Sequence, residues 1–192
     1  MIEILLEERI AFHCAPALAG IKPGNLVSFC NYKNPNLQKY ISYLNHQLNK
    51  NDIYFETMCN CSKRTLVFAY RKKQLNQWIY QKNHVEYLQK VGYPTDSGFD
   101  AVISYMKNRI QSHHEFPHEI GVFLGYPLSD IKGFVKNKGA NFKVNGYWKV
   151  YDNQEQTIKL FESFTRCRKT LLNHVYTGKT IVGMFGKSTL AG

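Results

Sequence analysis

The sequence predicts an α+β fold: a helix-rich single domain with a small, largely antiparallel sheet of two or three strands. Apolar residues recur at helical spacing over most of the chain, whereas runs of β-branched and aromatic residues cluster in the first half. The length of 192 residues suits one domain, and a hydrophobic fraction of 44% is enough to build a core. We therefore expect helices that cover a small sheet.

The first half of the chain contains the predicted strands and two helices. Apolar spacing predicts a helix over 2–13 and another over 36–50. Between them lies a loop rich in proline and glycine, followed by "NLVSF", which is typical of a short buried strand. The runs "DIYFETMC" and "TLVFAYR" flank "NCSKR", a sequence that suits a hairpin turn. These segments predict the antiparallel sheet.

The second half is predicted to be mainly helical. Apolar spacing predicts three helices: 73–91 with a break near Lys82 and Asn83, 98–113, and 153–175. The segment "GYWKVY" is predicted to be a short strand or an extended linker. The last residues show little periodicity. We therefore expect one globular domain over 1–175 and a loosely ordered C-terminal tail over 176–192.

The charge of the chain points to an anionic partner without identifying one. Twenty-five Lys and Arg residues face 14 Asp and Glu, which gives a formal net charge of +11. A basic surface attracts nucleic acid, anionic membranes or acidic small molecules. The positive residues are scattered, and the densest groups lie at 71–73 and 166–169. We expect an anionic small molecule as the partner, with nucleic acid a disfavoured alternative.

The cysteines and the apolar runs predict a cytoplasmic protein. Five cysteines at irregular spacing do not form a disulfide framework. No apolar run approaches the roughly 20 residues that span a bilayer. The N-terminus is acidic, unlike a secretory signal. We therefore expect no membrane span and a cytoplasmic location.

The stretch "PHEIGVFLGYPLSDIKGFVKNKG" predicts two short helices joined by a tight turn, which we call the corner (residues 117–139). Pro117 and Pro127 suit the first turns of the two helices. Gly125 and Gly139 suit helix ends, and Gly121 suits the point where two helices cross. A helix-turn-helix DNA reader needs the same residue types, so the corner also predicts a DNA-binding module.

The second helix of the corner carries the wrong side chains for reading bases. Leu128, Ser129 and Asp130 occupy the positions where base contacts are made, and Asp130 would repel phosphates. Gly133 lowers helix stability by ~1 kcal/mol relative to Ala. Its presence favours close packing. DNA reading is therefore the weaker interpretation of the corner.

Four side chains are candidates for acid, base or nucleophile chemistry. His118 and Glu119 lie together at the start of the corner, and the alternatives are a helix-start carboxylate that favours the dipole and a surface histidine. His13 and Cys14 are adjacent, and an imidazole can activate a thiol. The alternatives there are a buried thiol and a histidine bonded to the backbone. His13, Cys14 and His118 are also candidate metal ligands.

Five further residues are candidate ligand contacts. Lys22 and Asn25 follow His13 in a loop rich in proline and glycine, whose backbone N–H groups could face an anion. In "GYWKVY", strand alternation places Tyr147, Lys149 and Tyr151 on one side and Trp148 on the other. Such a face can stack against a ring or bind an anion, and Trp148 is expected in the core. The sequence does not identify a cofactor.

Three blocks of the chain, "FHCAPALAGIKPGNL", "FPHEIGVFLGYPLSDIKGFV" and "GYWKVY", resemble the domain-of-unknown-function 3793 family. The resemblance covers roughly residues 2–175. It implies an uncharacterised protein from anaerobic Gram-positive bacteria and brings no activity. It also implies that the family's signature positions fall on the following residues: His13, Cys14, Lys22, His118, Glu119, Gly125, Pro127, Gly146, Trp148 and Lys149.

Three functions remain open from the sequence. The first is a domain that binds a small molecule, an anion or a metal cofactor, with or without catalysis. Its site would be formed by residues 13–25, the start of the corner and residues 147–151. The second is a DNA-binding module that uses 117–139. The third is an interaction or scaffold protein without chemistry.

Overall fold

The computed structural model describes residues 2–112 and 116–186, which form an α+β structure as predicted. The helices are α1 (Ile2–Leu18), α2 (Leu37–Leu48), α3 (Lys72–Ile79), α4 (Lys82–Lys90), α5 (Phe99–Ser112), α6 (Ile120–Phe123), α7 (Leu128–Lys136), α8 (Gln154–Tyr176) and α9 (Ile181–Phe185). The strands are β1 (Gly24–Cys30), β2 (Ile53–Asn60), β3 (Arg64–Arg71), β4 (Val144–Asn145) and β5 (Lys149–Val150).

These elements divide into two compact units. The first unit comprises the described residues up to Gln74 and those from Arg166 on, and the second comprises Leu75–Thr165. Helix α8 supplies residues to both units. The sequence pattern predicts one domain over 1–175 and does not separate these units.

The first unit is built on a three-stranded antiparallel sheet in the order β1-β3-β2. The hairpin of β2 and β3 confirms the prediction from "NCSKR", and its pairing carries a bulge between Thr57 and Cys59. Helix α1 packs against β1 and β3, and α2 packs against β2. The core of the unit includes fully buried side chains from each of these elements, among them Ile10, Phe29, Leu44, Ile53 and Val67.

The predicted loose tail needs correction for its described part. Ile181 is fully buried in the core of the first unit, and its backbone N–H donates to Glu7 Oε2 over 2.6 Å. The residues that follow form α9 and pack against the same core. A helix of five residues is too short to show periodicity, and burial stabilises it instead. Residues 187–192 of the predicted tail lie outside the described residues.

The second unit contains α3 to α7, the hairpin of β4 and β5, and the first part of α8. The predicted break near Lys82 is confirmed, because α3 ends at Ile79 and α4 begins at Lys82. Helix α5 matches the predicted 98–113 helix to within a residue, although residue 113 itself lies outside the described residues. Three aromatic residues and Val150 form a hydrophobic core cluster in this unit: Trp148, Val150, Phe161 and Phe164.

None of the helices in the described residues combines the length and the apolar character that crossing a membrane requires.

Candidate functional site

The corner forms as two short helices that touch through a glycine. A Cβ atom on Gly121 would lie 2.9 Å from Ile131 Cγ1, so only glycine lets α6 approach α7 this closely. Gly125 has φ +70°, the left-handed conformation that ends a helix. The first helix is shorter than predicted, because Pro117 and His118 form turns ahead of α6. The predicted two-helix corner is otherwise confirmed.

Asp130 lies in the interior, which corrects its expected place on an exposed DNA-reading face. Its side chain is 2% exposed. Oδ2 accepts a hydrogen bond from Trp148 Nε1 at 2.7 Å, and Oδ1 accepts from the backbone N–H groups of Tyr151 (2.7 Å) and Asp152 (3.0 Å). These three donors compensate the burial of the carboxylate. Asp130 thereby ties α7 to the segment that begins at Trp148.

Gly133 confirms the close packing predicted for it. A Cβ atom at this position would lie 2.5 Å from Cγ of Tyr151, so the tyrosine ring covers this part of α7. Asp130 and Gly133 are therefore both engaged by residues 148–152 and are not available to a groove of DNA. This arrangement counts against the helix-turn-helix interpretation.

A cavity of ≈ 320 Å³ opens between the corner and the β4–β5 hairpin, entirely within the second unit. This volume is at the low end of the range for small-molecule sites. The walls are mainly apolar and aromatic. The aromatic side chains that line the cavity are Phe116, Tyr126, Phe134, Tyr147 and Trp148.

Trp148 forms a rigid part of the wall. Its ring stacks on Tyr126 with centroids 4.6 Å apart, and the ring of Phe161 meets it edge-on, also at 4.6 Å. The hydrogen bond to Asp130 fixes the indole from a third direction. Only 7% of the residue is exposed, which confirms the expected core position. An aromatic surface held this firmly is preorganised to receive a ring.

Besides Asp130, the cavity is lined by a histidine and a lysine. The imidazole of His118 is exposed, and its ring centroid lies 4.9 Å from that of Phe134. Lys149 Nζ donates to the carbonyl oxygen of Gly139 at 2.7 Å and lies 4.9 Å from the ring centroid of Phe142. The hydrogen bond and the neighbouring ring restrict the ammonium group to one place.

Glu119 diverges from His118 although the two are adjacent in the chain. It is 5% exposed and does not line the cavity. Its Oε1 accepts from Arg109 Nε at 2.9 Å and lies 2.8 Å from Arg109 Nη2. Burial, and to a lesser extent the negative charge of Glu119, raises the pKa of Tyr93 far above its usual value. The contacts of Glu119 are those of a partly buried ion pair.

The three residues predicted on one face of "GYWKVY" separate in the structure. Tyr147 and Lys149 line the cavity, whereas Tyr151 packs on Gly133 instead. Strand β5 contains two residues only, so alternation does not extend to Tyr151. Burial, followed by the charge of Asp130, raises the pKa of Tyr151.

Cys14 and Lys22 are both buried in the first unit, and their pKa values move in opposite directions. Cys14 is fully buried, and burial raises the pKa of its thiol to about 12. Lys22 is 3% exposed, and burial lowers the pKa of its amine to about 8. Because the thiolate is the reactive form, Cys14 is a poor nucleophile near neutral pH. His13 is half-buried, and burial followed by the charges of Arg9 and Arg168 lowers its pKa.

The loop after α1 uses its backbone N–H groups to end the helix. The N–H groups of residues 19–22 donate to carbonyl groups of residues 15–17, and Gly20 has φ +74°. Asn25 Oδ1 accepts from the N–H of Ala17 at 3.1 Å. These donors are therefore turned toward α1 rather than toward an anion. Ligand binding by Lys22 and Asn25 stays a prediction.

No group of three or more His, Cys, Asp or Glu side chains within 2–112 and 116–186 could hold a metal ion. The candidate ligands His13 and Cys14 belong to the first unit and His118 to the second. Metal binding by these residues stays a prediction.

Phe116, Tyr126 and Phe134 were not predicted from the sequence as parts of a site. All three are aromatic residues of the corner region, and all three line the cavity. Their spacing along the chain resembles that of ordinary core residues, so the only available signal was the density of aromatic residues.

The comparisons with known proteins give a family and no activity. A family model described as "Protein of unknown function (DUF3793)" matches residues 10–184. No curated protein and no solved structure matches the chain.

Proposed function

The chain belongs to the DUF3793 family, whose description names no activity, and we propose that it binds a small molecule in the cavity of the second unit. The observation that carries the proposal is the cavity itself, with a volume of ≈ 320 Å³. Two of the three blocks singled out in the sequence meet there and supply His118, Tyr147 and Lys149.

The composition of the walls supports binding over a purely structural role. Aromatic side chains that face open space leave apolar surface in water, which is unfavourable unless a ligand covers it. Ligand sites combine such walls with a few polar groups that orient the guest. Lys149 and His118 are groups of this kind. No reaction is proposed, because Glu119 is engaged by Arg109 and Cys14 is protonated at neutral pH.

The free thiols support a cytoplasmic location as part of the proposal. All five cysteines are free, and two of them, Cys30 and Cys61, are exposed. Exposed free thiols are typical of reducing compartments. Detection of the tagged protein in a membrane or secreted fraction of its host would contradict this location.

The test uses Trp148 as a reporter in the wall of the cavity. The chain has two tryptophans, so the Trp78→Phe variant leaves Trp148 as the only one. We expect natively purified protein to carry a bound molecule in mass spectrometry under native conditions. Adding that molecule back to stripped protein should change the Trp148 fluorescence in a saturable way.

Two cavity variants and one matched control locate the binding. His118→Ala and Lys149→Met should weaken binding, whereas Lys143→Met should not, because Lys143 is exposed and does not line the cavity. Circular dichroism checks that each variant is folded. A folded protein that carries no molecule and shows no fluorescence change with a broad metabolite library would favour the scaffold interpretation.

A further inference from the structure

The chemistry of the cavity limits the class of ligand that it can bind, and this inference rests on the proposed function. The acidic group among the lining residues is Asp130, and both of its oxygens already accept hydrogen bonds, three in total. A carboxylate that is satisfied by internal donors has little capacity left for a cationic guest. Asp130 therefore shapes the wall and does not select the ligand.

Lys149 is the cationic group with donors to spare. An ammonium has three N–H donors, and within the described residues one of them bonds the carbonyl oxygen of Gly139. The rings of Phe134 and Phe142 lie 5.7 Å and 4.9 Å from Nζ, so they hold the charge without using a hydrogen bond. A guest with a carboxylate can accept a charge-assisted hydrogen bond from the remaining donors.

We propose that the cavity binds a small planar aromatic acid, with its ring against the Tyr126–Trp148 wall and its carboxylate at Lys149. The ≈ 320 Å³ volume admits one ring or two fused rings with a short acidic side group. His118, on the same cavity, supplies a second donor for an acceptor atom of the guest. A net charge of +11 also draws anions toward the protein.

A cation of the same shape is the alternative guest, because aromatic walls also attract cations. Lys149 would repel such a guest, and the oxygens of Asp130, which already accept three hydrogen bonds, offer it little further hydrogen bonding. A neutral ring would gain the stacking and lose the charge-assisted hydrogen bond. The order of affinity expected from these contacts is acid, then amide, then amine.

The experiment measures this order with two matched series of three probes by isothermal titration calorimetry and ligand-observed NMR. The probes are benzoate and indole-3-acetate, their amides, and the amines benzylamine and tryptamine. We expect each acid to bind at least about tenfold more tightly than its amide, as one charge-assisted hydrogen bond provides. Added salt should weaken the acids more than the amides.

Three variants test the role of Lys149. Lys149→Met should bring the ratio of acid to amide affinity close to one while the amide affinity changes little. Lys149→Arg, which keeps the charge, should retain the preference for acids. Lys143→Met should behave like the parent protein. If Lys149→Met fails to fold, the comparison of parent protein with Lys149→Arg and the probe order still decide.

The outcomes separate this inference from the proposed function. Tightest binding of the amines, or an acid preference that survives Lys149→Met, overturns the inference and leaves a small-molecule site. The inference is also overturned, and a small-molecule site is left, if the protein binds a co-purified molecule that is not an aromatic acid and binds none of the probes. The absence of binding by the probes, by co-purified molecules and by a metabolite library overturns both.

Discussion

Two regions of the molecule carry the same kinds of residue and use them differently. Residues 13–25, which we call the polar segment, hold His13, Cys14, Lys22 and Asn25 in the first unit. The cavity of the second unit holds His118, Tyr147 and Lys149. In the polar segment, Cys14, Lys22 and Asn25 are buried, and the hydrogen bonds of the loop end a helix. In the cavity, His118 is exposed and Lys149 is half-buried beside aromatic walls.

The difference teaches that residue type alone does not identify a site. A histidine, a lysine and a thiol close together in the chain suggested chemistry in the polar segment. Burial raises the pKa of the thiol there and lowers that of the amine, because desolvation disfavours the charged form of each group. The cavity offers a lysine held by Gly139 and open space beside it. Four substitutions can break or sharpen this contrast.

Asp130→Ala should have the largest effect, because it removes the carboxylate that ties α7 to the cavity wall. The substitution leaves Trp148 Nε1 and two backbone N–H groups without their acceptor. We expect a loss of about 4 kcal/mol in the free energy of unfolding, measured by urea denaturation. Asp152→Ala, at an exposed position, is the control and should cost less than about 1 kcal/mol. Equal effects would show that Asp130 is not structural.

Lys22→Met should change how the free energy of unfolding depends on pH, because it removes the buried amine of the polar segment. The folded-state pKa of Lys22 is lowered to about 8. Between this value and the unfolded-state pKa of about 10.4, the unfolded chain therefore binds more protons than the folded chain does. The contribution of Lys22 is therefore unfavourable below about pH 8, and it is relieved as the pH rises toward about 10.4. Relative to Lys22→Met, the free energy of unfolding of the parent should rise by about 3 kcal/mol over this window.

Cys14 complicates this measurement because it titrates in the opposite direction. Its folded-state pKa is raised to about 12, so its contribution to stability falls as the pH rises above about 9. Both proteins should therefore carry Cys14→Ala, which removes that slope. Lys33→Met, at an exposed position, provides the control. A difference between parent and Lys22→Met that stays constant with pH would show that Lys22 is solvated.

Gly133→Ala should destabilise the second unit by about 2 kcal/mol through overpacking. Alanine in an unpacked helix would stabilise by about 1 kcal/mol, so the sign of the change is diagnostic. The added Cβ would lie 2.5 Å from Tyr151 Cγ. Adding Tyr151→Ala should therefore offset part of the cost in a double-mutant cycle. Lys132→Ala, exposed on the same helix, should be nearly neutral.

Asn25→Ala should have the smallest effect, a loss of about 1 kcal/mol in the free energy of unfolding, because the buried N–H of Ala17 loses its acceptor. Thermal denaturation of this variant against Asn25→Asp, which keeps an acceptor at the same place, measures the hydrogen bond. Asn36→Ala is the control, since Asn36 is exposed and makes no side-chain capping bond to α2. If Asn25→Ala leaves the stability unchanged, the hydrogen bond is not stabilising, and the hypothesis that Asn25 contacts a ligand gains support.

The local elements were predictable where a pattern repeats over several residues. The hairpin of β2 and β3 and the break between α3 and α4 follow from runs of eight or more residues. Gly121 and Gly125 also predicted the corner, because Gly121 allows the two helices to approach closely and Gly125 adopts the left-handed conformation that ends the first helix. Helix α9 was missed, since five residues carry no period and Ile181 gains its stability from a distant core.

The site was predictable in part, and Asp130 shows why the rest was not. His118, Tyr147 and Lys149 stood out as polar or aromatic residues without a core role, and they line one cavity. The sequence predicted Asp130 on the exposed face of the second helix of the corner, at a position where a DNA reader makes base contacts. Its acceptor role depends on Trp148, Tyr151 and Asp152, about 20 residues away in the chain.

The sequence by itself determined the fold class, the corner and the family, because periodicity, glycine conformation and motif order are local properties of the chain. Only the tertiary structure decided which polar groups are buried and which line a cavity. Burial and hydrogen-bond partners depend on residues far apart in the chain, and they determine whether a lysine is enclosed in a core with a lowered pKa or lies half-buried on the wall of a cavity. Lys22 and Lys149 are the same residue type, and their surroundings give them these two different roles.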